Sequence, residues 1–103
     1  MSYETFVEEQ EEGEARLRFS QAPGAPWSNA TLLALVDATL RAVAGDLALS
    51  HLSVTALKAA QDADVVGLGR VINRDGAAVH AEVWLFSHAV IEPMMHAMAT
   101  LRR

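Results

Sequence analysis

Residues 30–44 read ATLLALVDATLRAVA, a helical stretch in which Leu32, Leu33, Leu35, Val36, Leu40 and Val43 fall on nearly every side of the axis. A helix that is apolar all round is expected to be buried nearly all round. Its two charges are Asp37 and Arg41. Ser28 or Asn29 can cap its start, because either side chain can accept from the free backbone N–H groups there, and Gly45 is placed to stop it. The stretch is too short to span a bilayer. A lone helix of this kind needs a wrapper, and the rest of the chain has to supply it.

The flanking sequence switches to a period of two, the signature of strands with one face buried. Glu14 to Phe19 alternates Ala15, Leu17 and Phe19 against Glu14, Arg16 and Arg18. Gln21 to Trp27 holds two prolines and a glycine and reads as a loop. Beyond Gly45, His51 to Lys58 sets Leu52, Val54 and Ala56 against Ser53 and Thr55, and Val65 to Ile72 is a further strand. Asn73-Arg74-Asp75-Gly76 is a hairpin turn, since Asp-Gly tolerates positive φ. Ala77 to Phe86 follows with Val79, Ala81, Val83 and Leu85 on one face; Ser87 to Pro93 breaks the run, and Met94 to Leu101 returns. The order is strand, long helix, then four strands. With no second helix to carry crossovers, an antiparallel meander of about five strands is expected, an α+β fold around one central helix. The acidic segment 1–13 is expected to be an edge strand or a frayed start. Gly67 and Gly69, and Ala97 and Ala99, alternate as small residues. They either admit the helix closely or, for the glycines, mark bulges.

At 103 residues the chain is a single domain by size, and it is 51% hydrophobic, so apolar surface is expected to be buried against another subunit. The net charge is −5 with only eight basic residues, which argues against nucleic acid as partner. There is no cysteine, so disulfides and thiolate metal sites are excluded. The four histidines, His51, His80, His88 and His96, lack metal-ligand spacing, and no metal or membrane partner is expected. No signal-peptide pattern opens the sequence, so a cytoplasmic protein is expected.

Two readings stand for Asp37. Paired with Arg41 four residues on, it satisfies two helix charges; beside a pocket it is a base. Ser53 and Thr55 share a strand face and are either pocket lining or the strand's polar side. Trp27, just before the helix, either staples the helix entry or covers a site mouth.

Three stretches together resemble the hotdog superfamily, and most its PaaI-type thioesterase branch: Trp27-Ser28-Asn29-Ala30-Thr31-Leu32-Leu33-Ala34-Leu35-Val36-Asp37-Ala38, Leu52-Ser53-Val54-Thr55-Ala56-Leu57, and Gly69-Arg70-Val71 leading to Asp75-Gly76. Met95-His96-Ala97-Met98-Ala99-Thr100-Leu101 is similar to the family's last strand, and the likeness covers roughly residues 14–102. The family motif is His-Gly-Gly, six residues, then Asp or Glu. Asp37 falls on the acidic position, and Ser28, Asn29 and Ala30 stand where His-Gly-Gly would be, so the His is missing and the backbone is less open to close approach.

The resemblance implies that Asp37 acts as nucleophile or general base on an acyl-CoA thioester. The N–H groups of the helix start near Asn29 and Ala30 would bind the oxyanion. Coenzyme A enters as part of the substrate, with no separate cofactor. Asn29 and Asp37 lie about 12 Å apart along one helix, so the helix start of one subunit must meet Asp37 of another. A homodimer, or a dimer of dimers, is therefore expected, with the site at its interface. The leading expectation is hydrolysis or binding of a small acyl or aryl thioester. The alternative is a catalytically silent hotdog acyl-thioester-binding or oligomeric module. A hotdog dehydratase or hydratase ranks last, because no His lies on or just before the helix.

Overall fold

The computed structural model describes residues 3–22, 26–59, 63–88 and 92–103. Parts of the expected loop Gln21–Trp27 and of the expected break Ser87–Pro93 therefore lie outside the described residues. The helix α1 runs Asn29–Ala44. Ser28 is its cap: extended at φ −79° and ψ 161°, its hydroxyl oxygen accepts from the Thr31 N–H at 3.1 Å. At the other end Gly45 takes φ 64° and donates to the Arg41 carbonyl, a turn that a side chain would strain. Trp27 precedes the cap, is buried in one core cluster with Leu32, and donates its indole N–H to the Ala63 carbonyl at 2.7 Å. It is thus a buried anchor at the helix entry.

Among the described residues six strands form one antiparallel sheet: β1 Glu4–Glu11, β2 Glu14–Ser20, β3 Ala48–Ala56, β4 Val65–Asp75, β5 Ala78–Ser87 and β6 Pro93–Arg102. Their spatial order is β1-β2-β4-β5-β6-β3. The acidic N-terminal segment is an edge strand, so the sheet has one strand more than the expected five. β1 is exposed along its whole length and shows no alternation. It is held by backbone pairing to β2, by Tyr3 packing edge-on to Phe19, and by Gln10, whose amide donates to the Ala42 carbonyl of α1. The expected meander also fails at one strand. β3 does not lie beside β4; the helix carries the chain across the sheet, and β3 pairs with β6 at the far edge.

The helix lies over β4, β5 and β2. The glycines of β4 are there to admit it. A Cβ on Gly69 would sit 2.7 Å from a Val43 methyl and 2.8 Å from the Thr39 methyl, and one on Gly67 would strike the Thr39 hydroxyl. Thr39 is fully buried, and its hydroxyl donates to the Leu35 carbonyl, so it tolerates the close approach without losing a hydrogen bond. Phe19, Leu35, Leu40, Val83 and Leu85 fill the core around this contact. Ala97 and Ala99 are buried in the same cluster, on a strand beyond the helix's main footing.

The helix is not covered all round. One stripe faces β2, β4 and β5; the opposite stripe, Ala30, Leu33, Ala34, Asp37 and Arg41, is exposed, with Leu33 at 43%. A single sheet can enclose only one side of a helix. No helix among the described residues is long and apolar enough to cross a membrane.

Candidate active site

The open stripe of α1 carries the candidates for chemistry. At its start, helix geometry leaves the N–H groups of Asn29 and Ala30 without intrahelical acceptors. Ser28 uses its side chain on Thr31 and its carbonyl on Leu32, so it shapes this end of the helix by capping it. The positive end of the helix dipole adds to the pull on an anion placed there.

Two turns further along, the Asp37 side chain is 55% exposed. One carboxylate oxygen lies 3.5 Å from the Arg41 guanidinium, while another Arg41 nitrogen donates to the Leu47 carbonyl at 2.7 Å. The arginine is therefore anchored by the backbone after the helix, and Asp37 leans on it through an exposed ion pair worth about 0–1 kcal/mol. Such a contact does not commit the carboxylate to a structural role. Within one chain the helix start and Asp37 are about 12 Å apart, too far to act on one carbon.

Ser53 and Thr55 lie elsewhere. In the β3–β6 register Ser53 stands opposite Met98 and Thr55 opposite His96. Those residues alternate with the buried Ala97 and Ala99, so they belong to the sheet face turned away from α1. The described chain thus groups Ser28, Asn29 and Ala30 at one helix end and Asp37 midway along the same open stripe. It sets Ser53 and Thr55 on the far side of the sheet.

That far side holds a second cluster, which the sequence did not disclose. Glu82 stands at its centre with only 10% of its side chain exposed. It accepts from Arg70 Nε through one oxygen and contacts His96 Nε2 at 3.0 Å through the other. The His96 ring stacks on Trp84 with centroids 4.0 Å apart. The hydrogen bond to His96 outweighs burial and, with Arg70, holds the Glu82 carboxyl below its ordinary value of 4.5. A similar pair lies near the β2 end of this face. Burial opposes ionisation of Asp64, but hydrogen bonds from Arg18 and Ser20 prevail and lower its pKa. A shallow concavity of ≈ 380 Å³ lies beside the central cluster, lined in part by Arg16, Leu68, Arg70, Glu82 and Trp84.

No family model matches the chain, and no curated protein matches it. Solved structures do. The phenylacetic acid degradation protein PaaI of Thermus thermophilus, solved as a point mutant, matches at TM-score 0.82 and 15% identity, over 96% of this chain and 92% of that one. A hypothetical thioesterase of Streptococcus pneumoniae, solved with coenzyme A, matches at TM-score 0.82 and 14% identity, over 96% of this chain and 84% of that one. Zebra fish thioesterase superfamily member 2 matches at TM-score 0.78 and 14% identity, over 95% and 80%. With the one helix of the described residues cradled by an antiparallel sheet, the chain has the hotdog fold seen in these thioesterase structures. At these identities the likeness is one of fold.

Proposed function

We propose that the protein is a thioesterase-like hotdog protein that hydrolyses a small acyl-CoA or aryl-CoA thioester at the interface of a homodimer, with Asp37 as general base or nucleophile. The observation that carries this reading is the exposure of Asp37 on an apolar helix stripe that its own sheet leaves open. An exposed Leu33 beside a loosely held carboxylate calls for a covering surface, and a second copy that lays its helix start there completes a site.

The chemistry divides between the two copies. Asp37 takes a proton from water as the water oxygen attacks the thioester carbonyl carbon, or attacks that carbon itself. The carbonyl oxygen gains charge and is met by the N–H groups of Asn29 and Ala30 of the other copy. The C–S bond breaks and coenzyme A leaves as a thiol. On the base route it takes the proton held by Asp37 and the acid is freed. On the nucleophile route water then hydrolyses the Asp37–acyl anhydride, freeing the acid and supplying the thiol's proton. Arg41, tied to the Leu47 carbonyl, orients Asp37 between turnovers.

A second reading has its own support. Asn29 and Ala30 carry side chains where the resembling motif has glycines, which narrows the approach to the helix start, and Asp37 already has Arg41 as partner. On this reading the protein binds acyl thioesters, or only assembles, without turnover. A panel of short, medium-chain and aromatic acyl-CoAs decides between them. The hydrolase reading expects turnover of at least one, with kcat/KM lowered about 100-fold or more in Asp37→Ala and folding unchanged. Binding without turnover favours the silent module. Full turnover by Asp37→Ala refutes the assignment of Asp37.

A further inference from the structure

The open stripe of α1 is sorted by chemistry along its length. Leu33 is the one large apolar side chain of the helix that stays exposed, at 43%. It belongs neither to the core cluster nor to the partly buried residues packed on that cluster. It stands with the small residues Ala30 and Ala34, one turn before Asp37. One turn beyond Asp37 the stripe becomes cationic at Arg41, whose side chain is 45% exposed.

We propose that Leu33 sets the length of the acyl group this protein accepts, by closing the inner end of the acyl space, so that short acyl thioesters are its preferred substrates. This rests on the reading of the helix stripe as a site shared by two copies. Symmetry then fixes where Leu33 falls. A two-fold axis parallel to the helices would set them in register, and Asn29 would meet the partner's Asn29. Only an axis across the helices, which makes them antiparallel, brings each helix start to the other copy's Asp37. That axis passes midway between positions 29 and 37, at Leu33. The partner's Leu33 lies opposite, and the two side chains separate the two sites. Asp37 is four residues away, about 6 Å along the helix.

A thioester has two arms, and the stripe offers two directions from Asp37. Away from the axis lie Arg41 and, beyond it, the end of the helix at Gly45. Coenzyme A is long and carries phosphates, so it takes this open, cationic side. Toward the axis lie Ala34, Leu33 and the partner's Leu33, with no charge among them. The acyl chain takes that side, and its methyl end stops against the two leucines. Apolar contact favours each added methylene until the leucines are reached, and overpacking opposes it beyond. Ala30 and Ala34 are too small to limit the chain, so the limit falls on Leu33.

The test uses the full chain and straight-chain acyl-CoAs from acetyl to dodecanoyl. They serve as thioesters for turnover and as non-hydrolysable thioether analogues for binding. The wild type is compared with Leu33→Ala and Leu33→Phe, with circular dichroism for folding and sedimentation for assembly mass. Leu33 lies outside the core and alanine is a good helix former, so Leu33→Ala should fold. It should raise kcat/KM for chains longer than the wild-type optimum about 10-fold or more relative to short ones. Leu33→Phe should move the optimum to shorter chains. A length profile unchanged in the two variants, with turnover intact, overturns the role of Leu33 and leaves the hydrolase reading standing. A wild-type optimum at the long end of the series overturns it as well. A profile that shifts in thioether binding without any turnover supports Leu33 and refutes hydrolysis. A protein that neither binds nor turns over any of the series refutes both. If both variants lose the wild-type mass, Leu33 is spent on subunit contact and the proposal falls.

Discussion

The two faces of the sheet solve different problems. On the inner face β4 has given up two side chains: Gly67 and Gly69 let Thr39 and Val43 of the helix come down onto the backbone, and the surroundings are buried and apolar apart from the Thr39 hydroxyl, which is spent on the Leu35 carbonyl. On the outer face the same strand, one residue out of phase, carries Leu68 and Arg70, and its neighbours carry Trp84, Glu82 and His96. Close packing fixes the inner face within one chain. The outer face is held by charge-assisted hydrogen bonds around one shielded carboxylate, and its apolar residues remain half open. Steric fit makes the first face independent of solvent conditions. The second depends on ionisation.

The largest expected effect is on the inner face. Gly69→Val places branched methyls against Val43 and Thr39 and should cost about 3 kcal/mol, a drop in Tm of roughly 15 °C. If thermal melts show Gly69→Val to be neutral, the helix is not seated on β4 as described.

A smaller effect, of a different kind, is expected outside. The Glu82 carboxyl is held below its ordinary value of 4.5 by His96 and Arg70, so its folded pKa lies under its unfolded one. Its contribution to stability is then fully present above about 4.5 and is lost as the pH falls through the lower, folded value. Glu82→Gln should therefore lower Tm near neutral pH, and the gap from the wild type should narrow on acidification below about 4.5. A gap that is constant with pH would mean that the carboxylate charge contributes nothing there. Asp37→Ala, which breaks only an exposed ion pair, should leave Tm nearly unchanged, in contrast to its effect on turnover.

What could be read from the sequence follows the same division. The helix was legible because its signals are local: a capping Ser28, a stopping Gly45 and an apolar run between them. The inner strand faces were legible because Leu17, Phe19, Val83 and Leu85 alternate cleanly. β1 was legible only as one of two alternatives, an edge strand or a frayed start, because both of its faces are exposed and its hold on the fold comes from backbone pairing and from Tyr3 and Gln10. The position of β3 was not, because Leu52 and Val54 against Ser53 and Thr55 would suit any edge of the sheet. The Glu82 cluster was hidden by one residue. An uninterrupted register from Asp75–Ala78 would pair Arg70 with Val83, and the bulge at Ile72 brings it opposite Glu82 instead. Of the candidate site, Asp37 stood between an ion pair with Arg41 and a base, and only the resemblance favoured the second. The apolar count that predicted a fully enclosed helix could not say that the sheet covers only one stripe.

The central claim is that the open stripe of α1 is closed by a second copy whose helix start completes the site at Asp37. The most direct test mixes two defective proteins. Asn29→Pro removes one helix-start N–H at the first helical position, where proline is tolerated and Ser28 already has the extended backbone it requires. Asp37→Ala removes the carboxylate. Each alone should be nearly inactive on the acyl-CoA turned over by the wild type. After subunit exchange the mixture should recover about a quarter of wild-type activity, because half the dimers are mixed and each mixed dimer holds one intact site. A mixture as inactive as its components, under conditions where the subunits demonstrably exchange, would contradict the claim.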